Sequence, residues 1–434
     1  MADMDVMSDL WLPIVRSLGI ALFPVVAVVF LIWVARKVIA RMQDRLGPTN
    51  AGTPAGPDAI FQTVADAIKI LTKELVIPEG ADRTVFIAAP MLVTAVAVAV
   101  WAVIPLGPGE FQVVDLEIGA FYVVAMSSLA PFAMIMAGWS SRNKYAEVGA
   151  FRAVSQIIGY EIPQTLALLV PVLLTGSLSL QKIIEAQRVP YIVLAPFAAL
   201  VYFLATMAEV NRLPFELAEA DSEIVAGYFT EYSGMMFGSF YLAEFINNLT
   251  ASVLFSILFL GGWRGPGVDA VPLLGPVWLL VKAFLVFNFL NVFWAAMPRL
   301  RIDQVLAFNW KFLVPLALLV LLTTALVDKL IVYLGYTTDG MRAVGLILAN
   351  LVLGVGLVGY LYALGRRRKR AGVSVPEEFL PLLSSGSHGA LRMRSADVVP
   401  LSRHNGTSGM RYSRDERGKS STVELQANHI SKGE

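Results

Sequence analysis

The sequence predicts an all-α polytopic membrane protein with about nine transmembrane helices and one cytoplasmic interfacial amphipathic helix. Of its 434 residues, 56% are hydrophobic and only 15% are charged, which is more apolar surface than a water-soluble core buries. Apolar windows of roughly 20 residues, long enough to cross a bilayer core as helices, recur along the chain. The net charge is only +1, so the overall balance favours neither nucleic acid nor a strongly acidic substrate.

The predicted spans follow one another from the N-terminus to a polar tail. They lie near residues 15–35, 84–104, 117–138, 155–175, 190–208, 237–260, 277–297, 312–331 and 342–364. The first is too long for the apolar region of a signal peptide and follows acidic residues, so we expect it to be retained. The predicted organisation is an extracytoplasmic N-terminus, an eight-span membrane body, an additional C-terminal transmembrane helix, and a basic tail with the composition of a disordered segment, at residues 1–14, 15–341, 342–365 and 366–434.

The distribution of basic residues predicts the orientation of these spans. One set of alternate connections carries fourteen Lys and Arg residues, whereas the other set carries five. Cytoplasmic connections are the ones enriched in Lys and Arg. We therefore expect the N-terminus outside and the C-terminus in the cytoplasm, together with the basic run Arg366–Arg370 and the acidic connection described below.

An amphipathic segment, DAIFQTVADAIKILTKE, follows the first span and is too polar to cross the membrane. Helical spacing puts apolar side chains on one stripe, namely Ile60, Phe61, Val64, Ile68 and Leu71. The preceding GPTNAGTPAGP separates it from the first span. It is predicted to lie at the cytoplasmic interface, where it either anchors the loop or frames a lateral opening to the lipid.

The most polar stretch among the spans is residues 208–232, AEVNRLPFELAEADSEIVAGYFTEY, called the acidic segment below. It holds one base, Arg212, and six acids, Glu209, Glu216, Glu219, Asp221, Glu223 and Glu231. Charged groups at membrane depth usually face a protein interior or a water-filled cavity, and neighbouring carboxylates do not all ionise freely. The segment therefore predicts a site for protons or a polar ligand, with an ordinary solvated loop as the alternative.

Helical continuation after Pro214 would place Glu216, Glu219 and Glu223 on one face, with Asp221 pointing away. Further acids occur near the ends of spans or within them, at Asp115, Glu117, Glu161 and Glu244. Together these acids predict a proton wire. For the last two, the alternatives are purely structural pairings, Glu161 with Arg152 or Lys144 and Glu244 with Asn247 and Asn248.

Basic residues beside these acids have two interpretations. Lys282 lies in the seventh predicted span and is a candidate partner for one acid, unless its side chain extends to the interface. Five arginines on the cytoplasmic rim most simply set topology, and they are Arg45, Arg142, Arg152, Arg299 and Arg301.

Residue types that are absent from the membrane body limit its chemistry. The chain has no cysteine, and its three histidines, His388, His404 and His429, lie in the polar tail. Cysteine-ligated iron–sulfur clusters and imidazole-ligated haem or metal are therefore not expected in this chain. No phosphate loop, dinucleotide fingerprint or nucleophile elbow is present. We expect any redox centre to belong to a partner, and no catalysis by the isolated chain.

Several sequence blocks occur together in one order. They are RMQDRLGPTNAG, QTVADAIKILTKE, AMSSLAPFAMIMAGWSSRNKYAEVGAFRAVSQIIGYEI, the acidic segment and MPRLRIDQVLAFNWKFLVP. This series closely resembles the H-type membrane subunit, which is the quinone-site subunit, of NADH:quinone oxidoreductase (respiratory complex I), from Arg36 to about Asp328.

The resemblance implies a helical subunit in a bacterial plasma membrane that forms most of a quinone tunnel and couples quinone reduction to outward proton pumping. Menaquinone or ubiquinone would be the bound substrate, and hydrophilic partner subunits would hold the flavin and the iron–sulfur clusters. Small membrane partners would lead to antiporter-like subunits. By motif position, the tunnel residues would be Arg36, Arg45, Asp66, Lys69, Phe215, Tyr232, Arg299, Arg301 and Asp303. The proton relay would be Glu161, Glu209, Arg212, Glu216, Glu219, Asp221, Glu223 and Glu231, with no metal site.

Two positions and the C-terminus depart from the pattern of this family. Ala35 stands where the family often has Glu, and Trp294 stands where an Arg is expected. The ninth span and the tail exceed the usual eight-span body, and we expect an extra anchor or an assembly contact. Three other functions remain open: the equivalent subunit of a membrane-bound hydrogenase-type complex, a free-standing proton or cation transporter, and a structural anchor.

Overall fold

The structure, a computed structural model, describes residues 2–52, 59–109, 112–217, 221–268, 270–334 and 339–370. Over these ranges the regular structure is helical, without strands. The helices are α1 Ala2–Met42, α2 Gln62–Thr72, α3 Arg83–Ala99, α4 Gly119–Ser127, α5 Ala130–Ser140, α6 Lys144–Thr175, α7 Leu180–Ala186, α8 Tyr191–Leu194, α9 Pro196–Glu209, α10 Asp221–Ile224, α11 Gly234–Phe259, α12 Leu274–Ala296, α13 Ile302–Phe308, α14 Val314–Tyr333 and α15 Asp339–Arg370. The all-α prediction is confirmed.

Eight of the predicted spans are helical stretches long and apolar enough to cross a membrane. They are Ile14–Met42, Arg83–Val103, Gly119–Ser140, Lys144–Thr175, Gly234–Phe259, Leu274–Ala296, Ile302–Tyr333 and Gly340–Tyr360. The remaining predicted window, 190–208, contains the four-residue α8 and the shorter apolar helix α9. A break at Ala195 separates these two helices, because Pro196 has no N–H to continue the hydrogen-bond ladder.

Several helix boundaries differ from the windows of the sequence. Helix α1 begins at Ala2, so the helix takes in nearly all of the segment expected to precede it. The third span bends at Ser128 and Leu129, just before Pro131, and is formed by α4 and α5. A π-helical turn, Asn309–Leu313, joins α13 to α14 in one span. Hydropathy windows miss such bends because they average over the whole span.

Two helices form the centre of the body and position the acidic segment. Helix α11 has 83% of its span window buried, the largest share among the described spans, and α6 packs against α5, α9 and α14. Gly149 on α6 lies so close to the acidic segment that an added Cβ would stand 2.7 Å from the Cα of Gly227. A side chain at Gly149 would therefore push the segment away from α6.

The chain divides into two compact units, residues 1–362 and 363–434. The first holds the membrane body described above. Of the second, only the helical backbone to Arg370 is described. Most of the predicted disordered tail therefore lies outside the described residues.

Candidate functional site

The described parts of the acidic segment form a pinned loop with two short helical turns, α10 and the 3₁₀ turn Gly227–Phe229, so the helix considered above does not continue directly after Pro214. The Arg212 N–H donates to the Met207 carbonyl at 3.0 Å, which ends α9, and the Leu300 N–H donates to the Pro214 carbonyl at 3.1 Å. Residues 215–217 are not helical, and α10 begins only at Asp221. Glu219 lies outside the described residues. Glu216 and Glu223 therefore do not lie on one continuous helix, because backbone contacts to other elements replace the helical ladder at Glu216.

The described acids of the loop bind separate polar partners. Arg299 Nη2 lies 3.2 Å from Glu216 Oε2, and Arg152 Nη2 lies 2.5 Å from Glu223 Oε2. Asn143 Nδ2 donates to Glu231 Oε1 at 2.6 Å. Arg152 and Arg299 therefore hold the loop to α6 and to the segment before α13, in addition to any role in topology. Separate partners relieve the repulsion that a shared face would produce.

Arg212 lies at the inner end of this loop as a buried cation between two aromatic rings. Its side chain is 3% exposed, and its Cζ atom stands 4.0 Å from the centroid of Trp294 and 4.9 Å from that of Phe245. Glu244 Oε1 is 3.6 Å from Arg212 Nη2. Glu244 is thus paired with Arg212 from another element rather than with Asn247 or Asn248 of its own helix. Trp294, which departs from the family pattern, supplies a π face that attracts the guanidinium.

Glu161 and Glu209 line one cavity of about 70 Å³, called the central cavity below. Ser128 Oγ donates to Glu161 Oε1, and Gln164 Nε2 donates to Glu209 Oε2. The alternative pairing of Glu161 with Arg152 or Lys144 is not formed. A cavity of this volume with several polar walls has room for a few water molecules. The geometry therefore supports proton exchange between the two carboxyl groups.

The amphipathic helix α2 brings together three of the predicted tunnel residues. Arg36 Nη1, at the end of α1, lies 2.5 Å from Asp66 Oδ2, and Lys69 Nζ lies 3.5 Å from Asp66 Oδ1. Gln62 Nε2 also donates to Asp66 at 3.2 Å. Arg45 is not part of this group, because its Nε donates to the Gln43 side chain. The apolar residues of the stripe, among them Phe61 and Ile68, are exposed, as expected for a helix at a lipid interface.

The electrostatics of Asp66 give a first testable prediction. Burial acts to raise the pKa of Asp66, but the hydrogen bond and charge of Arg36, together with the Gln62 hydrogen bond and the Lys69 charge, lower the pKa below its ordinary value. A group with a lowered folded pKa contributes stability that is complete above its ordinary pKa and is lost as the pH falls through the lowered value. We expect the protection of α2 amides against hydrogen exchange in the solubilised complex, taken relative to the intrinsic exchange rate at each pH, to be kept at neutral pH and to fall only below about pH 4.

The control for Asp66 is Asp66→Asn, which removes the charge and keeps the shape. Its α2 exchange should be faster than wild type at neutral pH, with no acceleration of its own as the pH falls. Equal exchange in wild type and Asp66→Asn at neutral pH would contradict a role of the Arg36 pair in holding α2.

The two aromatic residues among the predicted tunnel residues are packed inside the body. The Phe215 ring lies 5.2 Å from the Tyr160 ring and 6.3 Å from the Phe308 ring. Tyr232 stacks on Phe86 at 3.9 Å, and its hydroxyl donates to the Phe86 carbonyl at 3.0 Å. Burial raises the pKa of Tyr232 to about 12, so its hydroxyl stays protonated at neutral pH. In this conformation both residues form the packed wall between the acidic segment and α3, α6 and α13.

The remaining predicted residues take no part in the ion pairs described above. Arg301 and Asp303 are exposed at the start of α13. Lys282 does not neutralise an acid, and the expectation that it would is wrong. Its Nζ donates to the carbonyls of the loop after α11, which are those of Leu260, Gly262 and Arg264, at 2.7–2.9 Å.

The sequence reasoning missed the neutral polar partners of the acids. Ser128 and Gln164 lie within apolar spans, and Asn143 caps the start of α6 by accepting from the Tyr145 N–H. Polar residues in a transmembrane helix are costly without a partner, so Gln164 carried a signal. Which acid it would bind depends on helix packing, which the sequence pattern does not give.

Comparisons with known proteins indicate the same family as the sequence blocks described above. The family model for NADH dehydrogenase matches residues 15–325. The H-type subunit of NADH-quinone oxidoreductase from Dehalococcoides mccartyi is 49% identical over 321 residues, 74% of this chain and 88% of the relative. Proteins of the same name from Rhodospirillum centenum and a Geobacillus species are 41% and 45% identical, over 74% and 72% of this chain and 96% and 94% of their own lengths. The chain therefore belongs to the family of H-type subunits of NADH-quinone oxidoreductase.

Proposed function

We propose that this chain is the quinone-binding membrane subunit of a proton-pumping NADH:quinone oxidoreductase in a bacterial plasma membrane. The observation that carries the proposal is a succession of acids, each with its own partner, from the cytoplasmic loop into the membrane body. Glu244 interacts electrostatically with Glu216, and Glu209 interacts with Glu161. Arg212 follows Glu209 by three residues in the sequence and lies beside Glu244.

The quinone would enter beside the amphipathic helix. The exposed apolar stripe of α2 faces the surroundings, whereas Arg36, Asp66 and Lys69 form a polar group at the junction of α1 and α2. This combination suits an amphiphilic ligand with an isoprenoid tail and a polar headgroup. Reduction to quinol consumes two electrons and two protons. The chain has no cysteine, so the electrons would come from NADH through iron–sulfur clusters of partner subunits.

The acids would link the redox step to proton movement. A proton that binds Glu216 neutralises the carboxylate that holds Arg299. The Arg299 guanidinium then loses this anionic partner and can move. A change of charge at Glu216 also acts on Glu244 and, through it, on the buried Arg212. Glu209 and Glu161 in the central cavity would pass protons toward antiporter-like partner subunits. All the named relatives carry NADH in their names, which favours NADH over hydrogen as the donor.

The Glu216→Gln variant tests this proposal, because glutamine keeps the shape and cannot carry the charge. We expect inhibitor-sensitive NADH:quinone reduction in membranes to fall about three- to tenfold, equivalent to roughly 0.7–1.4 kcal/mol. NADH oxidation by an artificial acceptor that bypasses quinone should be unchanged. The matched control is Glu185→Gln, an exposed acid on α7 that accepts a hydrogen bond from Gln181 in its own helix. Normal quinone reduction and normal proton pumping in Glu216→Gln would count against the assigned role.

A further inference from the structure

The C-terminal helix α15 lies beyond the family match, which ends at residue 325. One stripe of its residues makes polar and close contacts with the membrane body. Arg342, Leu346, Asn350 and Gly354 recur every four residues and therefore share a helix face. Leu346 is 1% exposed and Asn350 is 4% exposed. Other positions of the helix, such as Leu351 and Val352, are apolar and more than half exposed, so the polar contacts with the body come from this stripe.

The first contact on the stripe joins α15 to two other helices. Arg342 Nε donates to Asp328 Oδ1 on α14 at 2.5 Å, and Arg342 Nη2 donates to the Leu174 carbonyl at 3.2 Å. Leu174 is in the last turn of α6, where carbonyls have no partner within their own helix. One guanidinium thus neutralises a buried carboxylate and caps α6.

The second contact lies two turns further along, at the break between α8 and α9. Asn350 Nδ2 donates to the Leu194 carbonyl at 2.8 Å. Leu194 ends α8, the chain turns at Ala195, and Pro196 begins α9. The break interrupts the helical ladder, and a carbonyl without a hydrogen bond is strongly unfavourable in hydrocarbon. The asparagine amide therefore supplies the hydrogen bond that the broken helix lacks.

The packing beside this contact is equally close. Gly354 faces the Phe197 ring at the start of α9, and an added Cβ would stand 3.0 Å from Phe197 Cζ. Glycine at this position lets the two helices approach closely, as small residues do at helix contacts in membranes. Asn350 and Gly354 together fix the end of α8 and the first turn of α9.

We propose that α15 is a positioning element for α9, which it holds in one axial register through Asn350 at the α8–α9 break and Arg342 at the end of α6. Helix α9 ends in Glu209, which lines the central cavity. A shift of α9 along its axis would move this carboxyl group away from Gln164. The functional part of this inference rests on the proposed role of Glu209. The structural part, a fixed α8–α9 break, does not.

The test compares Asn350→Leu with Asn288→Leu in the assembled complex. Asn288 is a half-buried asparagine on α12 that donates to the Phe284 carbonyl of its own helix, so its replacement is the matched control. We expect Asn350→Leu to lower inhibitor-sensitive quinone reduction per assembled complex about threefold or more and to shift its pH profile. Asn288→Leu should match wild type in both. If Asn350→Leu does not assemble, Asn350→Ser shortens the side chain with less change in polarity and takes its place.

A crosslinking measurement tests the positioning without using activity. Because the chain has no cysteine, the pair Val193→Cys and Leu351→Cys, on opposite sides of the groove between α8 and α15, reports their proximity. Val193→Cys with Leu348→Cys, which lies on a different groove of α15, is the control pair. We expect a short bifunctional reagent to link the first pair, and Asn350→Leu to reduce the linked fraction severalfold.

The two readouts separate the two proposals. An unchanged linked fraction in Asn350→Leu, with turnover and pH profile equal to Asn288→Leu, would overturn the role of α15. If Glu209→Gln leaves quinone reduction intact, the proposed function of the cavity fails, whereas loss of the crosslink in Asn350→Leu would still support the tie to the α8–α9 break.

Discussion

Arg212→Met is expected to destabilise the chain by roughly 3–5 kcal/mol, because removing one member of a buried ion pair leaves the other charge uncompensated. Arg212 and Glu244 have side chains that are 3% and 20% exposed, and the guanidinium also lies between Trp294 and Phe245. A loss of this size is a large part of the total free energy of unfolding of most proteins. We therefore expect little Arg212→Met chain in the membrane and early aggregation of the remainder on heating in detergent.

Three further variants make this result specific. Lys182→Met removes an exposed cation 4.0 Å from Glu117 and should leave stability within about 1 kcal/mol of wild type. Arg212→Met with Glu244→Gln should recover part of the loss, since the uncompensated charge is removed. Arg212→Lys keeps the charge but lacks the planar group that stacks between two rings, so its stability should lie between those of wild type and Arg212→Met. Wild-type stability in Arg212→Met would contradict the buried pair.

Glu209→Gln is expected to lower inhibitor-sensitive NADH:quinone reduction by at least about tenfold, equivalent to roughly 1.4 kcal/mol, while the complex still assembles. Glutamine can accept the hydrogen bond from Gln164 through its own carbonyl oxygen, so the packing around α9 is kept. It cannot take up or release a proton in the central cavity. The measurement is quinone reduction in membranes, normalised to the artificial-acceptor activity of the same sample.

The effect of Glu209→Gln should be larger than that of Glu216→Gln, because Glu209 and Glu161 line one cavity that has room for a few water molecules. Proton pumping, measured as acidification or as a membrane potential in vesicles, should fall together with quinone reduction. Glu185→Gln is again the control. Quinone reduction and pumping both at wild-type level would remove Glu209 from the coupling route.

The two departures from the family pattern have structural surroundings of different kinds. Ala35, where the family often has a glutamate, is 1% exposed within the core, so the small residue fits a closely packed site without a charge. Trp294, in place of an arginine, lies against Arg212. A second cation in contact with Arg212 would repel it, whereas the tryptophan face attracts it.

The sequence alone determined the parts of this protein that depend on local composition. Eight of the nine apolar windows became long helices, and the spacing of Phe61, Val64 and Ile68 predicted the exposed apolar stripe along α2. Hydropathy and helical period are properties of consecutive residues, so they can be obtained without packing. The sequence blocks likewise indicated the family, which the comparisons confirmed.

Only the tertiary structure decided which partner each charged group has. Glu223 lies 71 positions from Arg152, and Glu216 lies 83 positions from Arg299; no local pattern connects residues so far apart. The sequence allowed a single acidic helix face, whereas the fold gave the described acids separate partners, because desolvated charges are stable only where an opposite charge or a donor is packed against them. The same reason explains Asn350. The sequence shows a polar residue in an apolar helix, but only packing against the α8–α9 break makes Asn350 the donor to the Leu194 carbonyl.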